Sequence, residues 1–152
     1  MRYTTRTEYG IVSLIYMARH FASGDMVTLK EIAKEEQFSV AFVEKILQRL
    51  RGAGIVESHQ GNHGGYSLAK PPSEINLKQI IDALEGSTYD VFCEPHVREG
   101  IVCTHLSLCG LNGVWKKSKE LLDQLYSSIT LDMLTQFGPR RDTTPVREPM
   151  SA

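Results

Sequence analysis

The stretch from Thr28 to Tyr66 constrains this chain more than any other, because its spacing dictates two short helices, a tight turn between them and a glycine-rich hairpin. Thr28 with Glu31 three residues on is a capping box, in which each residue satisfies a free N–H group at the helix start. Ile32 and Ala33 give that helix a small apolar face. Ser39 predicts the cap of a second helix, along which Val43, Ile46, Leu47 and Leu50 recur at i, i+3, i+4 and i+7. Gly54 stands where a left-handed residue closes such a helix. The opposite face carries Ser39, Ala41, Phe42, Glu44, Lys45, Gln48 and Arg49, a mixture able to meet base edges and phosphates.

Ile55 and Val56 then open a strand, and Tyr66, Ser67 and Leu68 close a hairpin after a run from His59 to Gly65 that contains Gly61, Gly64 and Gly65. Three glycines in so short a loop permit positive φ and close backbone approach, so the tip can lie against a groove. A plain hairpin turn has the same glycine content; its place directly after two helices of this spacing favours a wing. The expected fold is mainly α: a winged helix-turn-helix with a small two-stranded wing and a long C-terminal dimerisation helix.

A chain of 152 residues with 41% hydrophobic content suits one domain plus an extension. Its net charge of -1 argues against nucleic-acid binding driven by bulk charge. However, Arg2, Arg6, Lys30, Lys34, Lys45, Arg49 and Arg51 gather in the first third and supply a local basic face. No apolar run approaches a membrane span and the first residues lack the hydrophobic segment of a secretory signal, so the expected location is cytoplasmic, with no membrane partner. Three cysteines, an odd number, suit metal or redox chemistry better than a disulfide framework.

Taken in order, residues 1–86 read as the DNA-binding domain. A first helix from about Thr4 to Phe21 is expected to bury Ile11, Leu14, Ile15, Ala18 and Phe21, with Gly24 ending it. After the wing, Pro71 and Pro72 break the chain. Asn76 and Gln79 cap a helix that buries Leu77, Ile80, Ile81 and Leu84 and ends at Gly86. Residues 87–110 show no periodicity, a longer loop than the ~12 to 15 residues at which structureless connections become uncommon, and they hold Cys93, Cys103 and Cys109 with His96 and His105. Residues 111–137 read as a dimerisation helix, in which Leu111, Val114, Trp115, Ser118, Leu121, Leu122, Leu125 and Ile129 keep one side, followed by a short helix capped by Thr130. Folding back onto its own core is the alternative for the long helix. The tail, 138–152, is expected to be disordered.

The first ten residues MRYTTRTEYG, the segment from Leu29 to Ser58, the wing from Gly61 to Lys70 and the late cysteine cluster together resemble the iron-sulfur regulators of the IscR, NsrR and RirA kind. The resemblance covers nearly the whole chain. It implies a homodimeric winged-helix transcription regulator, mostly of the repressor type, whose affinity for double-stranded operator DNA follows an iron-sulfur cluster, [2Fe-2S] or [4Fe-4S], that senses iron, redox state or nitric oxide. It assigns the cluster to Cys93, Cys103 and Cys109; thiolates are soft, strongly donating iron ligands. Members of the IscR kind space these cysteines evenly and place a histidine three residues after the last. Here nine residues separate Cys93 from Cys103, five separate Cys103 from Cys109, and Asn112 stands at the histidine's place. By the NsrR pattern the fourth ligand is an acidic residue of the partner's first helix, which matches Glu8, with His105 and then His96 as alternatives. The resemblance also assigns base reading to Ala41, Phe42, Glu44 and Lys45. Gln60 stands where the wing usually begins with an arginine, which leaves minor-groove anchoring either weaker or supplied by His59 or His63. Arg49 and Arg51 fall to phosphates, and Arg2, Thr28, Ser39 and Gly61 complete the candidate DNA contacts.

Three other readings stay open: a structural zinc site of three cysteines and a histidine, a thiol switch, and an interaction module that has lost DNA reading. No nucleophile with a base, phosphate loop or paired carboxylates point to an enzyme or to a small-molecule substrate.

Overall fold

Helix α1 (Thr5–Phe21) is the element against which the rest assembles, in a computed structural model that describes residues 3–61, 64–88, 100 and 109–137. It is followed by α2 (Leu29–Glu36), α3 (Val40–Gly52), strands β1 (Val56–His59) and β2 (Gly65–Leu68), a 3-10 turn (Pro72–Glu74), α4 (Leu77–Glu85), α5 (Gly110–Ser128) and α6 (Leu131–Phe137). The fold is a mainly helical winged helix-turn-helix. Its two strands pair antiparallel with Val56 opposite Leu68 and His59 opposite Gly65.

The predicted caps form. Thr28 and Glu31 make both bonds of the capping box, Ser39 accepts from the Phe42 amide, and Asn76 and Gln79 make the second box. Gly54, at φ +69, lets the chain leave α3 in the left-handed conformation that a side chain resists. Val43, Ile46, Leu47 and Leu50 are buried as their spacing requires and meet Leu14, Ile32, Ile80 and Leu84 in one core.

The face of α1 is corrected. The structure buries Thr7, Gly10, Ser13, Leu14 and Met17, half-buries Ile11, Ile15 and Ala18, and leaves Phe21 exposed. Gly10 turns the helix this way. A Cβ there would meet Leu84 Cδ1 at 2.4 Å and Ile46 Cγ2 at 3.4 Å, so a bare backbone is what brings α1 against α3 and α4. Ser13 is tolerated inside because its hydroxyl donates to the Tyr9 carbonyl at 2.7 Å.

Helix α5 does not carry one continuous buried side. Trp115, Leu122, Tyr126 and Ile129 are half-buried, and the helix packs against α4, while Leu111, Val114, Leu121 and Leu125 are 51%, 55%, 54% and 51% exposed. At its end the Leu77 amide donates to the Ile129 carbonyl at 2.8 Å and the Leu131 amide to the Ile75 carbonyl at 2.7 Å. Leu131 and Ile75 thereby enter the core, and α6 packs on α1. Among the described residues no helix is long and apolar enough to cross a membrane.

Candidate nucleic-acid interface

The angle between α2 and α3 is set by a turn without glycine. Gln37 takes φ +57 as the C-cap of α2, and the Phe38 amide donates to the Ala33 carbonyl at 2.9 Å. Phe38 then stacks flat on Tyr9 of α1 with ring centroids 3.8 Å apart, and Phe42 meets the same ring edge-on at 5.5 Å. Three aromatic rings therefore tie α1, the turn and the first turn of α3 together. Phe42, a candidate base reader, is half-buried in this contact and packs against the core.

The outward side of α3 carries Ala41, Glu44, Lys45, Gln48, Arg49 and Arg51, all exposed, with Ser39 at the start. Gln48 Nε2 donates to Glu44 Oε1 at 3.5 Å, one turn away. Arg49 Nη1 donates to the Leu84 carbonyl at 3.4 Å, which turns its guanidinium toward α4. Arg51 Nη1 donates to Ser58 Oγ at 3.0 Å and bridges the end of α3 to the wing. Thr28 Oγ1 accepts from the Glu31 amide at 3.2 Å, and the Thr28 amide donates to Glu31 Oε2 at 2.6 Å, which holds the Glu31 carboxyl below its ordinary pKa.

In the wing, Gln60 and Gly61 are exposed at the tip, and Gly61 has φ +122. His59 Nε2 hydrogen-bonds with Ser67 Oγ at 2.9 Å across the strands. Val27 adds a bridge to Tyr66, amide to carbonyl in both directions at 2.9 and 2.8 Å, which fastens the wing to the segment entering α2. No pattern in the sequence around Val27 announced this pairing.

Of the candidate metal ligands, Glu8 is exposed on α1, and Cys109 is a half-buried free thiol at the N-cap of α5, whose first turn has no side-chain cap. Arg2, His63, Cys93, His96, Cys103 and His105 lie outside the described residues. Among the described residues no three metal-binding side chains gather.

Two polar clusters join the ends of the body. Glu85, at the end of α4, accepts from the Thr4 amide at 3.2 Å, from the hydroxyls of Thr4 and Thr7, and from Arg6 Nη2 at 3.4 Å, and so caps α1 where Thr4's own side chain does not. Burial pushes this carboxyl up, but the bonds from Thr4 and Thr7 and the charge of Arg6 outweigh it and hold the pKa below its ordinary 4.5. A depressed carboxylate stabilises the fold above its unfolded pKa and loses that contribution as pH falls through the lower folded value. Glu85→Gln should therefore lower the urea midpoint at about pH 7 and narrow the difference between about pH 7 and about pH 3.5; equal acid sensitivity of both proteins refutes the role.

In the second cluster, Thr88 is 1% exposed and its hydroxyl donates to Asp123 of α5. Lys78 Nζ lies 2.5 Å from Asp82 Oδ2 and 3.5 Å from Asp123 Oδ1. The Tyr3 hydroxyl donates to the Thr88 carbonyl at 3.3 Å, and its ring meets Tyr126 edge-on at 6.3 Å. Only the Lys78 and Asp82 spacing was visible in the sequence.

Residues 3–136 match the sequence profile of a family described as Rrf2, iron-dependent transcriptional regulator. Protein rrf2 of Nitratidesulfovibrio vulgaris is 32% identical over 131 residues, 86% of this chain and 85% of that protein. CymR (YrzC), the global cysteine regulator of B. subtilis, superposes with a TM-score of 0.75 at 25% identity, covering 91% of this chain and 98% of that one. T. potens IscR superposes with a TM-score of 0.69 at 29% identity, covering 90% of this chain and 87% of that one.

Proposed function

Because the chain belongs to the Rrf2 family of DNA-binding transcriptional regulators, we propose that it is a homodimeric repressor whose grip on operator DNA is set by an iron-sulfur cluster. The observation that carries the DNA-reading part is the outward face of α3, polar and exposed from Ala41 to Arg51 beside an exposed wing tip. Glu44, Lys45 and Ala41 offer an acceptor, a donor and a small apolar surface for base edges, and Phe42 contributes by fixing the helix on Tyr9. Ser39, Thr28, Gln60, Gly61, His63 and Arg2 serve the backbone or the minor groove.

Arg51, at the join of α3 and wing, is the clearest phosphate partner. Arg51→Ala should weaken binding to all sequences alike and flatten the plot of log affinity against log salt by about 0.9, one phosphate's worth. A loss confined to one base pair of the site would make it a base reader instead.

The exposed residues of α5 support pairing with a second copy. Leu111, Val114, Leu121 and Leu125 follow a 3-and-4 spacing interrupted only at Ser118, and an apolar stripe of that kind is covered in the functional molecule. The two sides of α5 then have different duties, one toward α4 and one toward the partner.

Cys93, Cys103 and Cys109 would hold the cluster, with Glu8 of the partner subunit as the fourth ligand and His105 or His96 as substitutes. The donor set fits: three thiolates suit iron, Cys109 is a free thiol, and Glu8 is exposed and so available to another chain. When bound, such a cluster supplies an oxidisable centre that responds to iron supply, redox state or nitric oxide. The chain's own part is mechanical. Cys109 is the residue from which α5 starts, so whatever holds its sulfur also holds the uncapped first turn of that helix.

A second reading, regulation by sulfur metabolism with thiols that hold no iron, is favoured by the likeness to the B. subtilis cysteine regulator. One preparation separates the two. Anaerobically purified protein should be brown, contain iron and acid-labile sulfide, and lose its visible spectrum when any of the three cysteines becomes serine. Glu8→Ala should leave the dimer intact and shorten the cluster's lifetime. Colourless protein whose operator affinity ignores removal of all three thiols overturns the cluster and leaves the DNA-reading part standing.

A further inference from the structure

The attachment of α5 to the DNA-binding body carries an inference that rests on the pairing proposed above. None of the described residues of α5 is fully buried; Trp115, Leu122 and Tyr126 are half-buried, and the helix packs against α4. Directional bonds fix it at two further points. One is its C-terminal end, where backbone bonds join Ile129 to Leu77 and, one step on, Leu131 to Ile75. The other is Asp123, six residues earlier and so about 9 Å back along the helix. There it meets the buried Thr88 hydroxyl and the Lys78 ammonium.

Half-buried side chains leave a helix some freedom to swing about a fixed end, and a second fixed point narrows its angle. At that point directional polar bonds add to the packing of the half-buried Leu122 and Tyr126, and such bonds specify geometry more than they add stability. We infer that Lys78, Thr88 and Asp123 form a strut that sets the angle between α5 and the DNA-binding body, and through it the half-site spacing that the dimer accepts. The leverage is large. Over the 19 residues of α5, about 28 Å, a swing of about 10° moves the far end about 5 Å, more than the ~3.4 Å rise of one base pair. Asp123 is a positioning residue: it touches no DNA and acts through the direction of the helix that carries it.

The test uses the full-length protein and duplexes selected from a random pool. The half-sites found are rebuilt at the selected spacing and at one base pair more and one fewer. The wild type should prefer its own spacing by about tenfold or more, since a shift of one step misplaces a whole half-site. Asp123→Asn, and the nearly isosteric Thr88→Val should the first fold poorly, should keep the dimer mass and cut that preference to less than about threefold. A dimeric wild type whose variants retain its preference overturns the strut alone. So does a loss of affinity that is equal at all three spacings, the mark of a merely destabilised protein. A monomeric wild type overturns the pairing and the strut together.

Discussion

Replacing Leu121 and Leu125 together by glutamate should turn a dimer into a species of 17.1 kDa that no longer binds its operator specifically. Both side chains are more than half exposed in the single chain, so the fold itself has little to lose; surface substitutions of this kind stay within about 0.5 kcal/mol. In a paired α5 the same positions face a second apolar stripe, and two carboxylates placed there on each chain must be stripped of water without a partner, at several kcal/mol each. The reader would survive as a monomer holding one half-site. Its affinity should then fall toward non-specific binding, about a thousandfold below the specific value. Sedimentation and operator titration at one stated salt concentration read both effects. A double variant that still sediments as a dimer and binds normally refutes the pairing along this face.

Ile46→Ala should cost about 2 to 5 kcal/mol of folding stability, the range for truncating a fully buried isoleucine. Ile46 is 0% exposed and belongs to the cluster where α3 meets α1 and α4. Little can collapse into the hole, because Gly10 already brings the α1 backbone close, with a Cβ position 3.4 Å from the Ile46 side chain. With a total of about 5 to 15 kcal/mol in most domains, this loss consumes a large share. Urea denaturation followed by far-UV dichroism measures it. A loss below about 1 kcal/mol would mean that the core around α1 repacks far more freely than its close contacts suggest.

The helix-turn-helix was legible because its signals are local. Capping boxes at Thr28 and Asn76, the stripe from Val43 to Leu50 and the left-handed Gly54 each depend on residues within a turn or two, and each formed as spaced. The face of α1 was misread because hydrophobicity counted for more than size: Gly10 and Ser13 are buried for lack of bulk and for a local hydrogen bond, neither of which an apolar periodicity registers. The turn at Gln37 was invisible for a similar reason. Its left-handed backbone, which costs a side chain about 1 to 2 kcal/mol, persists alongside the stacking of Phe38 on Tyr9, a contact between distant parts of the chain. The Lys78, Asp123 and Thr88 cluster is also non-local. For the candidate metal site, the sequence carried the donor types and their spacing, while Cys93 and Cys103 fall outside the described residues.

The burial of Leu131 against Ile75 has a consequence for biogenesis. The helix-turn-helix leaves the ribosome before α6, yet a leucine of α6 fills part of its interior. A nascent polypeptide halted before that leucine emerges would hold its helix-turn-helix over an unfinished floor, so that the finished core waits for residues made long after the helices it supports.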